Sequence, residues 1–241
     1  IDDSFDRMTQ PKGWAVNNAN DPGNTAAIAD GKLVLAKQTG NTNYLSLTKS
    51  LGSAFTPGPY HDKLAMEYKV QVVRADGAAI AFPLLADSSD GGRQPFNGQI
   101  LPGTAGNAYK MHNGPSLQNV RDPQNGTVNF TFDPGKEYVF RHVLDYESGK
   151  HDLYIDGLLA ASRFSFLNPV AGSDKVSLII GGQHTEIRLA YFKVFRLTTQ
   201  PPTDPVPQYP GFPVYQASKN KLLNGGVGGF GMLASYEAPG P

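Results

Sequence analysis

The sequence predicts an all-β protein, an antiparallel β-sandwich of the jelly-roll type, and three observations carry that expectation. Glu137 to Gly157 reads as two strands joined by a Glu-Ser-Gly turn, with Asp156-Gly157 ending the second. Tyr138, Phe140, His142 and Leu144 share one face of the first strand, and Leu153 and Ile155 one face of the second. A hairpin so apolar on one side needs a second sheet to cover it. The chain also holds 27 Gly and 19 Pro in 241 residues, which favours many turns over long helices. Finally, some eleven to thirteen short alternating runs follow one another at sandwich spacing, uninterrupted by any helical period.

Taken in order, the chain opens on a short edge strand with Phe5 and Trp14 as buried aromatics. Asp30-Gly31 turns into KLVLAK, and a polar loop leads to YLSLTK, where Leu45 and Leu47 share a face; these two runs are expected to pair. LAMEYKVQVV is the clearest half-buried strand, with Leu64, Met66, Tyr68, Val70 and Val72 alternating against Ala65, Glu67, Lys69 and Gln71. AAIAFPLLAD is apolar on both faces, and Pro83 predicts a bulge or an edge there. FNGQIL and AYKMH follow, separated by a Gly-rich turn. The polar stretch from Gly114 to Gly126 predicts a loop over one face of the sheet. VNFTF, with Val128, Phe130 and Phe132 inward, leads into the hairpin, and RFSF, VSLIIGG and EIRLAYFKVFRL complete the set.

Beyond Leu197 the composition shifts to a Pro-rich and then a Gly-rich run. Tyr209, Phe212, Tyr215, Leu222, Leu223 and Phe230 are anchors that a solvated linker would not need. The expected organisation is a domain over 1–197 with a tail, 198–241, packed along it; a disordered linker is the alternative.

Charge narrows the partners. Lys and Arg together number 21, as do Asp and Glu, and no basic stripe with interleaved aromatics is present. A neutral or weakly charged partner is expected and nucleic acid is not. No apolar run approaches the ~18 residues of a membrane span, so a soluble chain without a membrane partner is expected. The first residue is Ile1, which fits removal of a signal peptide and an extracellular location. The absence of Cys removes disulfides, thiolate catalysis and Cys-based zinc sites. A monomer without an organic cofactor is expected. Asp2, Asp3 and Asp6 form an acidic cluster suited to a structural calcium ion, or to simple solvation.

An early strand with Phe5, LYIDG at 153–157, IIGG at 179–182 and the closing LAYFKVFRL at 189–197 together resemble the concanavalin A-like lectin and glucanase superfamily. The resemblance covers Ile1 to Leu197 and implies two curved antiparallel sheets in a jelly roll, with glycans bound on the concave face. It spans lectins, binding modules, glycoside hydrolases and polysaccharide lyases, so it does not choose an activity.

The residues narrow that choice. Hydrolysis uses two carboxylates about 5 to 10 Å apart. The closely spaced acids of the glucanase members are missing, most Asp residues sit at turns, and Glu67 is the one mid-strand acid, standing alone. Cleavage of a uronate polymer by β-elimination instead needs a carboxylate neutraliser, a base and an acid. FNGQILPGTAGNAYKMH supplies these types: Gln99 mid-strand, Lys110 and His112 on one face of the next strand, and Tyr109 on the other. If the two strands pair, Gln99 lies near Lys110 or His112. Gln99-Ile100 also resembles the start of the Gln-Ile/Val-His motif of jelly-roll alginate lyases, with Leu101 in place of the His. Tyr191-Phe192-Lys193 resembles part of another alginate-lyase motif, without its later Gly and Tyr, and reads as an ordinary closing strand.

The sequence therefore nominates Gln99, Tyr109, Lys110 and His112 as catalytic, and Arg93 and Arg141 as substrate-binding, in a lyase resembling the glucuronan or alginate lyases. Each has a plain structural alternative: a turn histidine at His112, surface charges at Lys110 and Arg93, and for Arg141 an outward position on an unassigned face. His142, between Phe140 and Leu144, reads as a hydrogen-bonded core residue. A glycan-binding module or lectin is the competing reading, with a hydrolase behind it.

Overall fold

A computed structural model describes residues 2–5, 11–17, 23–38, 44–57, 62–76, 81–102, 106–181 and 184–198. Asp6 and, beyond Thr198, the tail expected to pack along the domain lie outside the described residues.

Sixteen strands and no α-helix occur among the described residues. The first eight are β1 (Asp2–Ser4), β2 (Ala15–Asn17), β3 (Asn24–Ala29), β4 (Lys32–Lys37), β5 (Leu45–Phe55), β6 (Lys63–Ala75), β7 (Ala81–Asp87) and β8 (Arg93–Leu101). They are followed by β9 (Asn107–Asn113), β10 (Ser116–Asn119), β11 (Thr131–Phe132), β12 (Tyr138–Asp145), β13 (Lys150–Ile155), β14 (Leu158–Ser165), β15 (Ser173–Ile180) and β16 (Thr185–Leu197). They form two antiparallel sheets. The first runs β14-β13-β12-β6-β16-β4-β3, with β1 joined to β16; the second runs β10-β9-β8-β7-β15-β5-β2, with β11 joined to β9.

The 137–157 hairpin is present as read, and its apolar side lies against the second sheet. Phe140, His142 and Leu144 on β12 and Leu153 and Ile155 on β13 are buried, as are Met66, Tyr68 and Val70 on the neighbouring β6. The ring of Tyr68 stacks between Phe140 and Phe192, at 5.5 and 5.7 Å between centroids. Leu47, Leu85, Phe96, Ile100, Tyr109, Met111 and Leu178 close the core from the second sheet. With side chains alternating at a period of two, β6, β8, β9 and β12 present their remaining positions to an outer surface, whereas β7 is buried along its whole length.

Four local expectations change. KLVLAK and YLSLTK do not pair: β4 sits between β16 and β3 in the first sheet, and β5 between β15 and β2 in the second. Both runs are apolar on one face because they cover each other's sheets across the core, a pattern that alternation alone cannot tell from pairing. Pro83 does not make an edge, since β7 is interior between β8 and β15; the irregularity shows as a register shift against Ser177 and Ile179. Val128 is exposed, because the chain joins a strand only at Thr131. The 114–126 stretch is not all loop, since its first residues form β10 against β9.

Candidate functional site

Pairing of β8 with β9 sets Gln99 directly across from Lys110, and pairing of β9 with β10 sets Asn119 across from Lys110 on its other side. Partners in an antiparallel ladder point to the same face, so Gln99, Lys110 and Asn119 form a row on the outer surface of the second sheet. A neighbouring row holds His112, whose partner is Leu117, and continuing the β8–β9 register one step beyond Gly98 and Met111 brings Asn97 opposite His112. Gln99, Lys110, His112 and Asn97 are each half-buried. Buried and without a hydrogen-bond partner are Nδ1 of His112 and Oδ1 of Asn97, a state that a folded protein seldom leaves uncompensated. Lys110 forms no ion pair among the described residues. The surface thus offers three amides, a cation and an imidazole, with Asn97 Oδ1 and His112 Nδ1 lacking a hydrogen-bond partner among the described residues.

The other nominated residues fall elsewhere. Tyr109 points inward, 1% exposed, with its hydroxyl 3.4 Å from that of Tyr68, and burial pushes its ionisation upward. His142 is the core residue expected, 3.1 Å from the Tyr68 hydroxyl through Nε2. Arg93 opens β8 and pairs with Asp90 at 3.6 Å, six residues or about 20 Å along an extended strand from Gln99. At the N-terminus both oxygens of Asp3 are bound by Lys49 Nζ, at 2.7 and 2.8 Å, and Oδ2 also accepts from Trp14 Nε1 at 3.0 Å. Asp2 lies 3.5 Å from Lys193. A cation at Asp3 would have to displace the lysine.

Arg141 lies on the opposite side of the molecule, on the outer face of the first sheet. Its Nε and Nη2 donate to one oxygen of Glu67, at 2.7 and 2.5 Å, and the other oxygen of Glu67 accepts from the Tyr191 hydroxyl at 3.1 Å. The partners of Glu67 are thus an arginine and a tyrosine, not a second carboxylate. Burial and the Glu67 charge push Tyr191 up to about 12. The pair borders a depression of about 620 Å³ whose walls also include Val139, Val143, Asp152 and Tyr154.

Two sheets in this order, packed through one core, decide the architecture. The fold is that of a concanavalin A-like sandwich.

Known structures bear the same concanavalin A-like fold at low sequence identity. A sialidase superposes with a TM-score of 0.64 at 16% identity over 81% of this chain, which spans only 18% of that protein's length. The alginate lyase Aly36B gives a TM-score of 0.54 at 11% identity, covering 83% of this chain and 98% of the lyase. The carbohydrate recognition domain of Emp47p gives 0.51 at 13% identity, covering 80% and 92%. No protein-family model matches the chain, and no curated protein matches its sequence.

Of the residues on the concanavalin A-like surfaces, sequence reasoning missed Asn97, Asn119 and the partners of Glu67. Asn97 was within reach, two positions before Gln99 and therefore on the same face. Asn119 lies in the stretch read as loop.

Proposed function

We propose that this chain is a secreted carbohydrate-active protein, a polysaccharide lyase that cleaves a uronate-containing polymer at the outer face of the second sheet. The observation that supports this most is the juxtaposition of Gln99 and Lys110 as cross-strand partners with His112 on the same face.

In β-elimination the proton on the carbon beside the uronate carboxylate is removed. The electron pair of that C–H bond forms a C=C bond, and the adjacent C–O bond breaks toward the leaving sugar. The amide of Gln99 donates to the carboxylate, favouring the charge that builds on it as the proton leaves. His112, whose Nδ1 has no internal partner, takes the proton; Lys110 neutralises charge and delivers a proton to the leaving oxygen. Tyr109 supports this surface from beneath, since its side chain points the other way. Arg93 reaches a more distant part of a bound chain.

The competing reading is a binding module using the same amides and cation without chemistry, as fits the likeness to a carbohydrate recognition domain. Incubation with glucuronan, with alginate and with related uronans, followed by absorbance of the unsaturated uronate product, separates the two. A rise with one polymer supports the lyase; retained binding with no rise on any of them supports the module.

Calcium at Asp2, Asp3 and Asp6 remains part of the proposal. A calcium titration read by the fluorescence of Trp14, which donates to Asp3, tests it: a saturable change reversed by chelator supports a site, and a flat response removes it.

A further inference from the structure

We propose that the depression beside Glu67 and Arg141 is a second carbohydrate site, one that takes neutral pyranose units, on the face opposite the uronate-directed row. It does not depend on the lyase reading.

Size comes first. A cavity of about 620 Å³ is in the range that holds small ligands. Its floor runs across β13, β12 and β6, three neighbouring strands spanning about 10 Å, enough for two sugar rings side by side.

Charge selects the ligand. Lys63 and Arg141 balance Glu67 and Asp152 within the lining, and each is already engaged. Arg141 holds Glu67, Lys63 lies 3.6 Å from Asp145, and Asp152 accepts the backbone N–H of Arg163 at 2.6 Å. With two cations and two carboxylates, the lining carries no net charge to draw an ion. Hydrogen-bonding capacity does remain, because a carboxylate offers about four acceptor positions and a guanidinium five donors. A hydroxyl-bearing ligand uses both kinds.

Shape agrees. Val139, Val143 and the half-buried ring of Tyr154 supply apolar wall for the C–H faces of pyranose rings. Leu159, the cross-strand partner of Tyr154 on β14, is 51% exposed and extends that wall toward the sheet edge. By contrast, the second sheet presents Lys110 and unpaired amide and imidazole atoms, which suit an anionic chain.

The test uses laminarihexaose, cellohexaose and mannohexaose as neutral probes against the full chain, read by calorimetry and by backbone amide shifts. At least one probe is expected to bind, with shifts confined to 63–67, 139–143 and 152–159. Tyr154→Ala should weaken binding about tenfold, with Tyr154→Phe restoring it, and Glu67→Gln about fivefold. Gln99→Ala and Lys110→Ala should leave it unchanged. Absence of binding by all three probes at about 10 mM, or shifts that map to 97–119, would overturn the proposal. The shift map answers even if Tyr154→Ala fails to fold, and uronan cleavage is scored separately, so the two proposals can fail independently.

Discussion

A β-carbon built on Gly98 falls 2.0 Å from the hydroxyl oxygen of Tyr109. Tyr109 lies across the β8 backbone, where only a hydrogen leaves room for it, and Phe82 O, 3.0 Å from the same point, closes the other side. The ring cannot swing away, because Phe132 and Phe140 meet it edge-on at 6.2 and 4.9 Å. The contact fixes the inner side of the strand whose outer side carries Asn97 and Gln99.

Gly98→Ala should therefore destabilise the fold by about 1 to 3 kcal/mol through overpacking, with a lowered thermal midpoint. Gly126→Ala, at an exposed position where a β-carbon meets nothing within 4 Å, is the control and should change the midpoint little. Thermal melts followed by circular dichroism compare the two.

Acid should unfold the protein in two stages. His142 and His151 are buried between the sheets around Phe96, and burial holds His142 well below its ordinary value and His151 down to about 4, against a weak opposing pull from Asp152. Because the folded state favours neutral imidazole, their contribution is complete above the unfolded value of about 6.5 and is lost as pH falls. His151 alone is expected to remove about 3 kcal/mol between pH 6.5 and 4. Carboxylates enter lower. Glu137, held down by hydrogen bonds from Lys32 and then Lys69, loses its contribution as pH falls from its unfolded value through its folded one. Denaturant unfolding at pH 7 and 4.5 should show a stability difference that shrinks in His151→Leu.

Breaking the Asp3–Lys49 pair should cost more than breaking Glu67–Arg141, although both are bonded twice. Side-chain exposures are 8% and 18% in the first pair but 14% and 52% in the second. Asp3→Ala strands a mostly buried lysine and the indole N–H of Trp14, and a loss of about 3 kcal/mol is expected, with a shift in tryptophan emission. Arg141→Ala should cost about 1 kcal/mol or less, since solvent screens that guanidinium. Urea unfolding of the two variants checks the order.

On a uronan that the protein cleaves, His112→Ala should lower kcat by about 10² to 10⁴. Lys110→Ala and Gln99→Ala should do likewise to a smaller degree, with KM raised as carboxylate recognition is lost. Steady-state rates of product absorbance read both. Full activity in His112→Ala and Gln99→Ala together would place the chemistry on another surface.

Alternation carried much of this. That Tyr109 faces away from Lys110 and His112, that His142 lies in the core, and that 137–157 forms a hairpin all follow from a period of two within one strand; that Tyr109, nominated as catalytic, is on the buried side does not. What alternation cannot supply is which strand lies alongside which. Glu67 meets Arg141 and Tyr191 across separations of 74 and 124 residues, and those partners exist only once β6 is seated between β12 and β16. The same gap let β4 and β5 look like a pair. Arg141 was legible as outward, but the side of the sandwich to which outward refers is a property of the assembled sheets.

The tight fit of Tyr109 against Gly98 also limits how such a chain can change over generations. Losing or gaining a single residue within β8 would turn Gln99 into the core and press a side chain against the tyrosine, whereas exchanging one outward residue for another leaves the interior untouched. Lineages carrying this strand are thus free to vary its outward residues by substitution, while insertions and deletions are tolerated only in the turns at its ends.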